Sequence, residues 1–309
     1  MQSHPQGSPD SRESRTDLRR TIMSHNNEVE SLARELLSAY ETGEMVAIPP
    51  SGRPGFDLNT AYEVEATLKQ FREAGGHRAV GRKVGYANKA MWRVLKLETL
   101  VWAHMYDDTV HYSDRNSATL TLPHRRSLKI EPEIVFGLKQ PIPTEGAEGV
   151  DAATAALAST EWLAVGFEII DCPFPDWQFQ PSDFVASFGL HAALVIGERA
   201  EVRSDLRPDR IAALVDELPR FKVRMSRSNS SKKGEFVEEG SGRNSLRSPA
   251  LCLAELSAAI ARRFPAEPLS AGEIVSSGTL TAGHPTGRGD LWTVEVEGLP
   301  LPPLTLRLT

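Results

Sequence analysis

The sequence predicts an α+β protein: a β-rich core behind an N-terminal helical cap. Two segments before residue 78 carry apolar residues at helical spacing. From Val80 onward the apolar residues fall into short runs bounded by Gly and Pro. Helical patterns return in 151–164 and after Ser248, so strands and helices do not alternate as in a parallel α/β fold.

Residues 1–25 are polar and lack the apolar centre of a secretory signal, which predicts a disordered tail with Met23 as an alternative start. The cap spans 26–78. Its first helix carries Val29, Leu32, Ala33, Leu36, Leu37 and Tyr40 on one side, with Asn26 or Asn27 as cap and Gly43 as stop. A second helix over 57–76 carries Tyr62, Val64, Leu68 and Phe71 and ends at Gly75–Gly76. The remaining 79–309 are expected to form one β-rich domain. Strand-type runs occur at 79–87, 128–138, 164–172 and 189–198. The segment 220–240 reads as a hairpin, Ser248 and Pro249 open a helix, and two strand-type stretches close the chain.

Composition narrows the function. The chain has 309 residues, 40% hydrophobic and 25% charged, which suits a sizeable core. A net charge of −6 argues against a nucleic-acid partner. No apolar run reaches the ~20 residues of a membrane span. Two cysteines without metal-ligand spacing suggest reduced thiols and a cytoplasmic location. The basic run "HRRSLK" (124–129) reads as a solvated loop.

The segment "KIEPEIVFGL" (129–138) carries the chemistry. Strand side chains alternate, so Glu131 and Glu133 share a face, ~7 Å apart. Such a pair can face water, pair with cations, or share a divalent ion. Glu168 stands among Val165, Phe167, Ile169 and Ile170, where a buried anion must be paired, metal-bound or neutral. Three carboxylates without a Cys or His cluster make an oxygen-only set that favours Mg²⁺ or Mn²⁺. The competing reading is a core ion pair of Glu168 with Arg or Lys. "VGRKVGY" (80–86) offers Arg82 and Lys83; Lys83, among small and apolar neighbours, either binds a substrate carboxylate, relays a proton or snorkels. "SSGTLTAGHPTGRGD" (276–290) either lines a carboxylate pocket through N–H groups with Ser277 or Thr279, or is a long turn. His104 follows an apolar stretch, with Asp107 and Asp108 behind it.

In order, "VGRKVG" (80–85), "VWAHM" (101–105), "EPEIVFGL" (131–138), "GFEIID" (166–171), "DWQFQPSDFVA" (176–186) and "AGEIVSSGTL" (271–280) resemble the 2-keto-4-pentenoate hydratase and 2-oxo-acid decarboxylase branch of the fumarylacetoacetate hydrolase superfamily. The resemblance implies a β-rich roll and a Mg²⁺ or Mn²⁺ ion on Glu131, Glu133 and Glu168. It makes Lys83 the active-site lysine and places Ser277–Gly278, with Arg82 and Thr279 near by, at the substrate carboxylate. It implies a homo-oligomer acting on short 2-oxo or 2-hydroxydienoic acids of aromatic-compound catabolism. Hydration is the expected reaction. Decarboxylation, acylpyruvate C–C hydrolysis and an inactive binding protein are the alternatives. Three positions depart from the pattern. His104 replaces an aspartate, Ser187–Phe188 replaces an Asp-Asn pair, and "RSP" (247–249) replaces "GHP". His104, or Asp108 or Asp107, is therefore expected as the acid/base, and Phe188 is expected to give a different or smaller substrate pocket.

Overall fold

A computed structural model describes residues 11–309 except 123–125, 144–147, 203–208, 230–235 and 264, with backbone alone for 11–22 and 229. Helix α1 (Ser11–Thr42) is followed by α2 (Leu58–Ala74), which Asp57 caps by accepting from the Thr60 N–H at 2.9 Å. The later helices are α3 (Lys89–Leu95), α4 (Gly149–Ala158), α5 (Pro181–Ala186), α6 (Arg210–Glu217) and α7 (Pro249–Ala261). The strands are β1 (Ala79–Gly85), β2 (Val101–Tyr106), β3 (Val110–Tyr112), β4 (Ser117–Leu120), β5 (Leu128–Leu138), β6 (Thr160–Asp171), β7 (His191–Ile196), β8 (Ala200–Glu201), β9 (Lys222–Asn229), β10 (Phe236–Ser241), β11 (Ile274–Thr279), β12 (His284–Pro285), β13 (Asp290–Glu297) and β14 (Leu304–Leu308).

The larger sheet runs β2-β1-β11-β5-β6-β7-β3, with β12 beside β5 and β8 beside β6. The smaller runs β10-β9-β13-β14-β4. The architecture is α+β, a curled sheet with helices at the N terminus. Leu32 and Leu36 of α1 and Val64 and Leu68 of α2 join one apolar core with Ile130, Phe136, Phe167 and Val195 of the sheet. The expected boundary at 78/79 is thus a change of element type within a shared core. No helix among the described residues is long and apolar enough to cross a membrane.

Several expectations need correction. The stretch 11–25 is helical, not an unstructured tail, while 1–10 lie outside the described residues. Good helix formers continue upstream of Asn26, and the nearest upstream proline is Pro9, so neither Asn26 nor Asn27 is a cap. The helix expected over 151–164 stops at Ala158. Thr160 to Ala164 pair with β5 instead, because burying Trp162 and Leu163 against the sheet outweighs local helical spacing. Ser248 stands at the head of α7, but its hydroxyl makes no cap bond. Arg126 of the supposed solvated loop is half-buried, its side chain covered, 2.7 Å from Asp171 and donating to the carbonyls of Ala39 and Glu44; residues 124 and 125 lie outside the described set.

The site is positioned by β1, β11, β5 and β6. The parallel pair β1–β11 places Gly81 opposite Ile274, where a Cβ would lie 1.9 Å from the Ile274 carbonyl oxygen. Backbone cannot yield as a side-chain tip can. Gly81→Ala is therefore expected to destabilise the protein by about 2–3 kcal/mol, seen as a lower urea midpoint with an unchanged m-value.

Candidate active site

In the β5–β6 register Glu131 lies opposite Glu168, and Glu133 follows on the same face. Carboxylate oxygens of the three come within 4.8 Å of one another, a group that can hold a metal ion. Glu133 and Glu168 are fully buried and Glu131 is half-buried. Ser276 Oγ and the Gly278 N–H (2.9 Å) both donate to Glu133 Oε2. The other oxygen, Oε1, is buried and has no hydrogen-bond partner among the described residues. Desolvation, then the charge of Glu168, holds the Glu133 carboxyl well above the usual range. Desolvation likewise pushes Glu131 up to about 7, against the attraction of Lys83. Gly283 crosses so near that a Cβ there would lie 2.7 Å from Glu131 Oε1.

Glu168 behaves differently because its partners are cationic or donating. Lys83 Nζ lies 3.1 Å from Oε2, and His191 Nδ1 lies 2.9 Å from Oε1. Burial opposes ionisation, but the nearby Lys83 ammonium and the His191 hydrogen bond keep its carboxyl below the usual range. Burial also opposes the charge on Lys83, and the three glutamates, Glu168 foremost, more than offset it, so its pKa is raised. The two readings left open by the sequence, a carboxylate triad and a Glu168–Lys core pair, are both realised in one cluster.

Lys83 donates to the Gly189 carbonyl at 3.0 Å and sits 4.7 Å above the Phe184 ring. An ammonium has three N–H donors. Gly189 accepts one and Glu168 pairs with the ammonium at 3.1 Å, which leaves a donor for a ligand. The carbonyl is presented by three consecutive left-handed residues, Phe188 (φ 54°), Gly189 (φ 60°) and Leu190 (φ 57°). Non-glycine residues there cost about 1–3 kcal/mol each and persist only where packing over-determines them.

Lys83, Glu131 and Gly278 line a cleft of about 630 Å³. Tyr86, Trp177, Phe179, Phe184 and Ile170 form its apolar wall, with Lys129 over the Trp177 ring. Thr279 also lines the cleft, its hydroxyl donating to the Thr281 carbonyl. Ser277 turns away, and its hydroxyl donates to the Ile134 carbonyl at 2.8 Å. The serine that reaches the carboxylates is its neighbour Ser276.

Neither Arg82 nor His104 joins this cluster. They face each other across β1–β2, one residue off Lys83 and Ala103, so they project from the other face of the sheet. There His104 Nδ1 lies 2.6 Å from Glu65 Oε1 and Nε2 lies 3.4 Å from Glu267. Arg82 donates to Glu273 at 2.5 Å and stacks on Trp102. Asp108 is gripped through both oxygens by Arg72, at 2.6 Å each, and lines a different cavity of about 430 Å³. Asp107 is held by the Arg78 N–H at 3.1 Å. His77, Asp107 and Asp108 also come within 4.8 Å of one another near the surface, but Arg72 already neutralises Asp108. Phe188 packs on Tyr40 and Tyr106 and does not line the Lys83 cleft.

The back-face network has its own pH signature. Burial works against a charged His104, but Glu65 and Glu267 outweigh it and raise its pKa. The stabilisation is complete below the ordinary histidine value of about 6.5 and is lost as pH rises through the higher folded value. The melting temperature should fall from pH 6.5 upward, and this slope should vanish in His104→Gln. Differential scanning calorimetry in metal-free buffer between pH 6 and 9 checks it.

His191, Ser276, Gly189 and Gly283 escaped the sequence reading. His191 carried a usable signal, a titratable residue at the head of an apolar run. Ser276 did not, because the face presented by β11 depends on pairing with β5.

No protein-family model matches the chain. It is 27% identical over 277 residues to a 2-hydroxyhexa-2,4-dienoate hydratase of Comamonas testosteroni, covering 90% of this chain and 97% of that one. It is 26% identical over 246 residues to a 4-oxalocrotonate decarboxylase of Pseudomonas sp. strain CF600, covering 80% and 84%. Among solved structures, the 4-oxalocrotonate decarboxylase of Pseudomonas putida G7, complexed with magnesium and adipate, superposes with a TM-score of 0.77 at 23% identity, covering 92% of this chain and 98% of that one. The chain is a homologue of the 2-keto-4-pentenoate hydratases and 4-oxalocrotonate decarboxylases and has the fold of the fumarylacetoacetate hydrolase family.

Proposed function

We propose that the protein is a divalent-metal-dependent lyase of the hydratase type, acting on a short unsaturated 2-oxo or 2-hydroxydienoic acid. The convergence of Glu131, Glu133 and Glu168 beside Lys83 at one cleft carries this reading. The residues suit a hard cation. The donors are all carboxylate oxygens, and Glu133 Oε1 is a buried acceptor without a donor. Mg²⁺ or Mn²⁺ would be held by the three glutamates and would supply the positive charge that stabilises an enolate of a 2-oxo acid.

The chain's own groups do the rest. Lys83 directs its remaining N–H at the substrate carboxylate, with Gly278 at the same end of the cleft. The aromatic wall of Trp177, Phe179 and Phe184 receives the unsaturated tail and excludes water from the reacting carbons. Desolvation pushes Tyr86 up to about 12, so its phenol stays protonated and can donate from the cleft wall. With His104, Asp108 and Arg82 on other surfaces, proton movement falls to Lys83 and Tyr86. We place the enzyme in the cytoplasm, where its two buried thiols stay reduced, and assign it a homo-oligomeric state by resemblance.

The absence of His104 and Asp108 from the cleft also favours a second reading, 2-oxo-acid decarboxylation, which needs an electron sink more than a base to activate water. Product mass separates the two. With Mn²⁺ and a 2-hydroxydienoate the product should gain one water; with a 2-oxo-enedioate, a product lighter by CO₂ marks the decarboxylase. EDTA should abolish either reaction, and undiminished turnover in EDTA refutes the metal-dependent reading.

A further inference from the structure

His191 is fully buried, touches a member of the carboxylate triad, and has no part in the chemistry above. Its two ring nitrogens engage two fixed groups. Nδ1 meets Glu168 Oε1 at 2.9 Å, and Nε2 meets Thr109 Oγ1 at 3.0 Å. Thr109 is itself anchored in the turn between β2 and β3, where its hydroxyl bonds the Tyr106 carbonyl at 3.0 Å and the Tyr106 N–H at 3.3 Å. Its carbonyl accepts from the Leu194 N–H of β7 at 2.8 Å. A rigid path therefore runs from the β2–β3 turn through Thr109 and His191 to Glu168.

The terminal torsion of a glutamate is broad, so burial alone does not set its carboxylate plane. Glu133 is clamped by Ser276 and Gly278. Glu168 is clamped at Oε2 by Lys83 and at Oε1 by His191. Lys83 is also the residue assigned to the substrate, so it cannot serve as the sole fixed anchor. We propose that His191 is a positioning residue that fixes the Glu168 carboxylate for the divalent ion, with Thr109 holding the imidazole. This inference rests on the metal reading above and adds to it a residue that touches neither ion nor substrate.

Electron paramagnetic resonance titration of the full-length protein with Mn²⁺, without substrate, tests it. His191→Ala should weaken Mn²⁺ binding by about 10–100-fold, the range for lost partners of metal ligands. His191→Asn keeps an N–H near the position of Nδ1 and should recover most of that affinity. Thr109→Val leaves the imidazole in place without its anchor and should give a smaller loss. Circular dichroism checks folding, and if His191→Ala does not fold, the other two variants carry the test. His191→Ala binding within twofold of wild type overturns the proposal. So does His191→Asn as weak as His191→Ala, because the loss would then follow ring volume and not the hydrogen bond. Wild-type protein that binds no Mn²⁺ refutes the metal reading itself, and measuring it in the same series keeps the two failures apart.

Discussion

Glu133→Gln should abolish divalent-metal binding and lower turnover by about 10³-fold or more, while making the metal-free protein more stable at neutral pH. Both effects arise from the same crowding. Glu133 is fully buried, 145 residues from its donor Gly278 in sequence yet bonded to it, and held well above its usual pKa by desolvation and by Glu168. A carboxyl whose folded pKa is raised opposes folding once pH exceeds the ordinary value of about 4.3. The penalty grows until pH passes the folded value. Glutamine removes it and still offers an oxygen to Ser276 and Gly278. At pH 7 in EDTA the variant should melt above wild type, and at pH 4 the two should converge. Adding Mn²⁺ should reverse the order, because ligand at a hundred times its Kd stabilises only the binder, by about 2.7 kcal/mol. Scanning calorimetry with and without Mn²⁺ reads all three results. A variant that binds Mn²⁺ as wild type does would remove Glu133 from the site.

Lys83→Met should damage both fold and activity. Removing one partner of a buried ion pair typically costs about 3–5 kcal/mol, since the other charge is left uncompensated. Here Glu168 would remain, fully buried, against Glu131 and Glu133. A positioned acid or base contributes about 10²–10⁴-fold, and turnover should fall by at least that much. The ion should partly replace the missing ammonium, so Mn²⁺ ought to rescue stability without rescuing turnover. The double variant Lys83→Met/Glu168→Gln should regain most of the stability and none of the activity. Urea unfolding of the four proteins completes the cycle. Equal instability of the single and double variants would show that Lys83 acts through packing on Phe184 and not through charge.

What the sequence disclosed follows physical locality. β5 was legible over its whole length, because Leu128–Leu138 alternates as far as Ile134, continues as a short apolar run and ends at a turn. Glu131, Glu133 and Glu168 stood out as carboxylates in apolar strands, and alternation alone puts the first two on one face. Alternation along β1 already sets Arg82 on the face opposite Lys83, but it cannot say which face of β2 meets which face of β1, so His104 is placed away from Lys83 only by the pairing. The order of side chains along β11 hid Ser276 behind Ser277 for the same reason. Phe188 lies in a left-handed corner whose direction no periodicity encodes. Asp108 follows β2 closely in sequence, yet the partner that holds it, Arg72, lies on α2.

Arg82 and Lys83 are neighbours in the chain yet answer to unrelated demands. One anchors a charge network behind the sheet, and the other faces the cleft. Substitution at position 82 is then expected to register as a change in melting temperature, and at position 83 also as a change in the chemistry proposed for the cleft.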